Sequence, residues 1–370
     1  MTIPATAALR TLLAHAGQDL SEPLLFVQAG GIGAGVFAFH YEKEDVVTLF
    51  LAGRHLWADD HAYLTAAAGR LGWKTATKES TSAKAAEQEL RKALDRGAPV
   101  IAWVDAAHLP HRVMPAHFSG GGYHLITVHA IAGDEARIRD GDGEPFGIPL
   151  RDLATARGRI AKFRNRLLWL DGRPGRPPAP AAVLADARKT CATTLQKAKM
   201  ANFRLDAFAE LADRMTADKG KESWVEMFPP GPRLWTALTS LHEYIERYGT
   251  GGGLCRATFA AGLREAGLAT PAAAYAALAA DWSALADAAL PAGVPAFDQA
   301  RELFARRTAL IAARGPVPEI RACWEGLSRL QRDARKSFPL DAARAADLRG
   351  ALAERLRAIH AAEVAALALL

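Results

Sequence analysis

The first 190 residues of this chain contain no cysteine. The three it has, Cys191, Cys255 and Cys323, are odd in number and widely spaced. That pattern excludes a disulfide-stapled secreted framework and suits a reducing compartment. Long apolar runs are also missing. Nothing approaches the roughly 18 consecutive apolar residues of a membrane-crossing helix. Met1-Thr2-Ile3-Pro4 lacks the basic and apolar regions of a secretory leader. The expectation is a cytoplasmic protein with no membrane contact. Charge of one sign is scarce too: the net charge is +6 over 370 residues, with Lys and Arg interspersed among Asp and Glu, which gives little support to nucleic-acid binding. One stretch is more basic. Arg151, Arg157, Arg159, Lys162, Arg164, Arg166, Arg173 and Arg176 outnumber Asp152 and Asp171 there, which reads as a solvated face or as a docking patch for an acidic partner.

What is present is a globular composition. Half the residues are hydrophobic and 23% are charged, so the chain is neither disordered nor fibrous, and its length suggests two domains. Residues 172–180 are rich in Pro and Gly and read as an extended linker. Before it, β-type runs at 24–28, 46–52, 99–105, 124–131, 136–139 and 161–170 alternate with helical patterns. After it, Ala, Leu, Arg and Glu recur at helical spacing to residue 370, with breaks at 228–232, 249–253, 291–295 and 315–318. The expected fold is an α+β domain over 1–171 followed by an all-α domain over 181–370. The alanine-rich stretch 269–289 permits close helix packing, in the core or at a homodimer contact.

Within the first domain, residues 6–16 place Leu9, Leu12 and Leu13 on one face of an amphipathic helix ending at Gly17, and 81–96 form a second helix. The apolar run 99–105 predicts a strand buried on both faces. A loop with His108, His111 and His117 follows, then a strand from His124, a turn at 133–135 and a return strand ending at Asp140. Hairpin geometry brings His124 and Asp140 to neighbouring strand positions.

A His and an Asp on adjacent strands, preceded by a helix near the N-terminus, is the arrangement papain-like enzymes use. There a cysteine at the helix start is the nucleophile, the His takes its proton and the Asp fixes the tautomer. Among eleven histidines, a structural role at a strand edge competes with that reading. Other constellations are weaker. Residues 30–35 place Val36 where a dinucleotide fingerprint needs its third glycine, and 248–254 lack the Lys-Ser or Lys-Thr of a phosphate loop. Residues 140–144 lack calcium-loop spacing, and the histidines at 108, 111, 117, 124 and 129 come with no zinc pattern. No cofactor and no metal are expected. The cysteines sit in apolar helical contexts as small hydrophobes.

Ala8-Leu9-Arg10-Thr11-Leu12-Leu13-Ala14-His15-Ala16-Gly17, Leu20-Ser21-Glu22, Leu25-Phe26 and Gly30-Gly31-Ile32-Gly33 resemble the opening of the butirosin-biosynthesis protein H N-terminal family, and 99–105, Leu109-Pro110 and 124–140 continue the likeness. Residues 248–256, 259–266 and Asp281-Trp282 resemble the helical domain of unknown function that often follows it. The resemblance implies a papain-like fold. It also implies an acyltransferase of natural-product biosynthesis that moves an acyl group from an acyl carrier protein onto a small-molecule amine acceptor. His124 and Asp140 match the family's catalytic His and its acidic partner. The family's His-Cys pair falls near Ile3 and Pro4, so the nucleophilic Cys is absent at that position. Three explanations follow: a non-catalytic homologue that binds a carrier protein or ligand, a His-Cys pair encoded upstream of Met1, or Thr2 or Thr6 serving in place of the thiol. An amide-bond hydrolase is a further alternative.

Overall fold

The computed structural model describes residues 2–41, 46–172, 174–175 and 178–370. Arg173, Arg176 and Pro177 of the basic and Pro-rich stretches lie outside the described residues, as does Met1.

The chain opens with α1 (Pro4–His15), whose first turn carries Pro at a position that needs no N–H and whose Leu9, Leu12 and Leu13 are buried. Next come α2 (Glu22–Gln28), the hairpin β1 (Val36–Tyr41) and β2 (Val46–Leu51), α3 (Asp60–Arg70), β3 (Lys74–Lys78), α4 (Ala83–Leu94), β4 (Val100–Asp105), β5 (Tyr123–Ala132), β6 (Glu135–Arg139), β7 (Phe146–Pro149), α5 (Leu150–Gly158) and β8 (Leu167–Asp171). Six of these strands form an antiparallel sheet in the order β3-β8-β4-β5-β6-β7. Alternation along β4 explains how helices cover both faces. Ile101 and Trp103 join α1 and α3 in one apolar cluster, whereas Val100, Ala102 and Val104 join α4 and α5 in another.

Two expectations need correction. Residues 24–28 are helical, not extended: Ser21 caps the turn by accepting from Leu24 N at 3.1 Å, Pro23 sits inside it, and a five-residue apolar run does not distinguish strand from helix. Of 161–170, only the part from Leu167 is strand. Arg164 and Asn165 take left-handed φ values of 49° and 51° and end a short 3-10 turn there.

The second part is helical: α6 (Pro180–Lys197), α7 (Asp206–Thr216), α8 (Trp224–Met227), α9 (Pro232–Glu246), α10 (Arg256–Glu265), α11 (Ala269–Ala289), α12 (Pro295–Ala312), α13 (Val317–Lys336) and α14 (Ala342–Leu367). None of the described helices is long and apolar enough to cross a membrane. The β1–β2 hairpin does not join the sheet. Val36, Val47, Leu49 and Leu51 bury themselves in the helical core, with Phe26 and Ile32. Polar groups reinforce this junction. Fully buried Arg256, at the start of α10, donates from Nη1 to the carbonyls of Gly33 (3.1 Å) and Leu254 (2.8 Å) and from Nε to Glu363 of α14 (2.6 Å). Trp282 Nε1 donates to the same carboxylate at 2.9 Å.

Removing one member of a buried ion pair strands the other charge. Arg256→Met and Glu363→Leu are therefore each expected to cost about 3–5 kcal/mol, and the double change less than their sum. Urea unfolding midpoints of the two single variants and the double variant check this.

Candidate functional site

From the β5–β6 turn the ladder passes a register shift between Val128 and Ala130 to the pair Thr127–Arg139, which leaves His124 and Asp140 on one face as diagonal neighbours. His124 Nε2 lies 2.7 Å from Asp140 Oδ1. Two residues from the 106–119 loop complete the arrangement. Arg112 grips the carboxylate with Nε to Oδ2 (2.8 Å) and Nη2 to Oδ1 (2.9 Å), and His111 Nε2 lies 2.7 Å from Oδ2. Arg112 Nη2 is also 2.8 Å from His124 Nε2. His124 Nε2 thus faces an acceptor, Asp140 Oδ1, and a donor, Arg112 Nη2, and the imidazole tautomer follows from which of the two it serves. Among the described residues, His124 Nδ1 makes no hydrogen bond.

The loop is held by Asp105 at the end of β4. Buried Asp105 accepts from Ala107 N (3.1 Å) and Gly120 N (2.6 Å), closing the loop on itself. Gly122 makes this possible, because a Cβ there would lie 2.5 Å from Asp105 Oδ1.

Electrostatics follow from burial around one ion pair. Burial works to raise the Asp140 carboxyl, but the Arg112 guanidinium and the two imidazoles outweigh it and hold it well below 3.8. Arg112 is in turn lifted above its usual value by Asp140, against the opposing effect of burial. Burial, then the Arg112 charge, pushes His124 below its usual 6.5, so the imidazole is neutral at physiological pH.

The start of α1 faces this group. A Cβ on Gly141, next to Asp140, would lie 3.0 Å from Thr2 Oγ1, and one on Gly249 would lie 3.2 Å from Pro4 Cδ. Thr6 is engaged elsewhere: its hydroxyl shares a 2.8 Å hydrogen bond with Tyr63 inside the core. Ile3 N donates to Glu22 at 2.7 Å, and burial raises that carboxyl to about 7. All three cysteines are buried and unpaired. Burial pushes the Cys191 and Cys255 thiols up to about 12.

Helical residues wall the site. Trp324 Nε1 donates to Arg112 O at 3.3 Å, and its ring packs against Phe118 and under Arg307. Tyr248, on which Arg112 and Arg307 act, is 47% exposed and stands at the open side of the site. Aromatic contacts run outward from it, Tyr248 to Tyr244 (5.4 Å), Tyr244 to Phe50 (5.2 Å) and Phe50 to Phe39 (5.6 Å). Two other cavities, of about 300 and 170 Å³, lie away from His124 and Asp140.

The histidine-rich loop does not collect a metal site. Among the described residues, no group of three or more His, Cys, Asp or Glu side chains is placed to hold an ion. At Asp140 the Arg112 guanidinium and the two imidazoles share the carboxylate. His108 bonds to Ser119 (2.8 Å) and His129 to Thr127 (3.2 Å), each by itself. Arg112 went unnoticed in the sequence; its only signal is its place directly after Leu109, Pro110 and His111.

Residues 4–141 match the family model described as Butirosin biosynthesis protein H, N-terminal, and residues 151–309 match a Domain of unknown function (DUF4872). The second match begins on α5 and so includes β8. No curated protein matches the chain.

His124, and His55 and His129 at about 4, are depressed from a usual 6.5, mainly by burial. In the window between 6.5 and the folded values the unfolded chain binds more protons. Their stabilising contribution is therefore complete above about pH 6.5 and falls as pH drops toward 4, where Asp140 begins to lose its own. Glu22, raised to about 7, runs the other way and loses its contribution as pH rises from 4.5 to 7. The expected outcome is an unfolding free energy that declines between pH 6.5 and 4, with a shallower slope in His124→Gln, read from urea melts at half-unit pH steps.

Proposed function

We propose, with residues 4–141 belonging to the butirosin biosynthesis protein H N-terminal family as the premise, that this protein of natural-product biosynthesis binds an acyl-bearing ligand without passing the acyl group through a cysteine. The observation that carries this reading is the occupant of the α1 N-terminus. Pro4 stands where the family's thiol is expected, and the three cysteines are sealed in buried positions. Losing the nucleophile of a triad removes most of its rate and leaves only what positioning and electrostatics supply. Arg112 adds a second reason. An imidazole that takes up a proton here becomes a cation 2.8 Å from a guanidinium, which opposes general-base work.

The papain-like description of the first domain belongs to the same proposal. It rests on a helix whose start faces a His–Asp pair on antiparallel strands. The ligand is an acyl group delivered by an acyl carrier protein, or the amine that accepts it. Tyr248, Trp324 and Phe118 offer it apolar contact, and the free Nδ1 of His124 offers it a hydrogen bond.

A second reading, acyl transfer or amide hydrolysis through a hydroxyl, has one observation in its favour: Thr2 Oγ1 lies against Gly141, the neighbour of Asp140. Incubation with acyl-loaded carrier protein, followed by size-exclusion chromatography and intact-mass spectrometry, separates the readings. Complex formation without a mass increase is expected, together with alkylation by iodoacetamide of the thiol introduced by Pro4→Cys. A covalent acyl adduct on the unmodified chain overturns the main reading. If it maps to Thr2, the hydroxyl is the nucleophile. Neither adduct nor complex removes the acyl carrier protein from the proposal.

A further inference from the structure

Among the described basic residues of the stretch 151–176, one is buried. Arg151, Arg159, Lys162 and Arg164 are exposed, as a solvated face requires, but Arg157 of α5 is only 3% exposed. Its Nη2 donates to the carbonyls of Ala86 (3.3 Å) and Asn165 (3.1 Å). Its Nε is buried without a partner. No carboxylate among the described residues pairs with it. Glu87, the nearest acid acting on it, is bridged to Arg91 at 2.8 Å. Burial lowers the guanidinium only to about 10, so a positive charge sits there at neutral pH.

Arg157 lines a cavity of about 170 Å³ together with Thr81, Ala83, Leu150, Asn165 and Glu87, whose carboxylate is the one bridged to Arg91. At roughly 30 Å³ per water, that is room for about five waters or one small polyatomic anion. The start of α4 forms part of its rim. Ser82 caps this 12-residue helix by accepting from Ala85 N at 3.3 Å, and the first turn contains no acidic residue to offset the helix dipole. Asn165 of the lining is in left-handed conformation, and its carbonyl accepts from Arg157. A buried cation without a carboxylate partner and a helix start with no acidic residue in its first turn thus meet at one cavity, on the α4–α5 face of the sheet.

We propose that this cavity binds a small anion, the carboxylate or phosphate group of a metabolite, between the Arg157 guanidinium and the N-terminus of α4. The site does not depend on the acyl-binding reading, since it shares no residue with His124, Asp140 or Arg112. Isothermal titration of the full chain with inorganic phosphate, and separately with malonate, each against chloride at equal ionic strength, tests it. Saturable binding of at least one anion is expected, weakened about tenfold or more in Arg157→Gln and in Ala83→Asp, the latter placing a fixed carboxylate where the dipole favours it. The anion that binds identifies the group recognised. Should Arg157→Gln fail to fold, Ala83→Asp decides alone. Absence of saturable binding by both anions, or binding that Ala83→Asp leaves unchanged, overturns the proposal.

Discussion

The buried Arg256–Glu363 pair is the constraint on which the arrangement of the whole molecule depends. Its guanidinium reaches a glycine loop before β1, the chain just before α10 and the last helix at once. Such a hub has an energetic cost. Arg256 Nη2 and Glu363 Oε2 are buried without a protein partner, and Leu254 and Cys255 hold left-handed φ values of 50° and 73°. Non-glycine residues there carry roughly 1–2 kcal/mol each of backbone strain. The strain turns the Leu254 carbonyl onto Arg256 Nη1, so the distorted turn and the ion pair support one another. Gly53 belongs to the same contact: a side chain there would collide with the Leu254 backbone.

Because this hub ties the β1–β2 hairpin to the helices, the cleft has walls from both parts of the chain. Tyr248 follows the end of α9 and approaches Arg112, which hangs from the sheet, while Trp324 of α13 caps the same loop. Movement of the helical part relative to the sheet therefore changes the surroundings of His124 and Asp140 directly.

The sequence made some of this legible and hid the rest for physical reasons. The nearness of His124 and Asp140 in a short hairpin is legible, but their sharing of one face is not: the turn at 133–135 pairs Ala130 with Arg137, and a register shift between Val128 and Ala130 then pairs Thr127 with Arg139, which turns Asp140 to the face of His124. The β4 run is unmistakable because both its faces are buried. By contrast β3, Lys74–Lys78, is a polar edge strand with no apolar alternation to betray it, and residues 24–28 resemble a strand until Ser21 and Pro23 are weighed as helix-start signals. Arg112 and His111 were hidden for a different reason. They reach Asp140 across 28 and 29 residues of chain, through a loop whose path is set by Asp105 and Gly122, and no local periodicity encodes that closure.

Arg112 also changes what the His–Asp pair means. In a triad the acid serves the imidazole; here it serves first a buried guanidinium, which supplies two of the four polar contacts that Asp140 makes. Without Asp140, Arg112 would be a desolvated charge with no counterion, a loss of several kcal/mol. The loop carrying it, and the Trp324 contact with the helical part, would lose their anchor as well. The pair thus has a structural reason to exist that is independent of any nucleophile. A chain with Pro4 at the start of α1 keeps the same polar cluster for the stability of its cleft, and the same cluster leaves one imidazole nitrogen free to contact whatever the cleft admits.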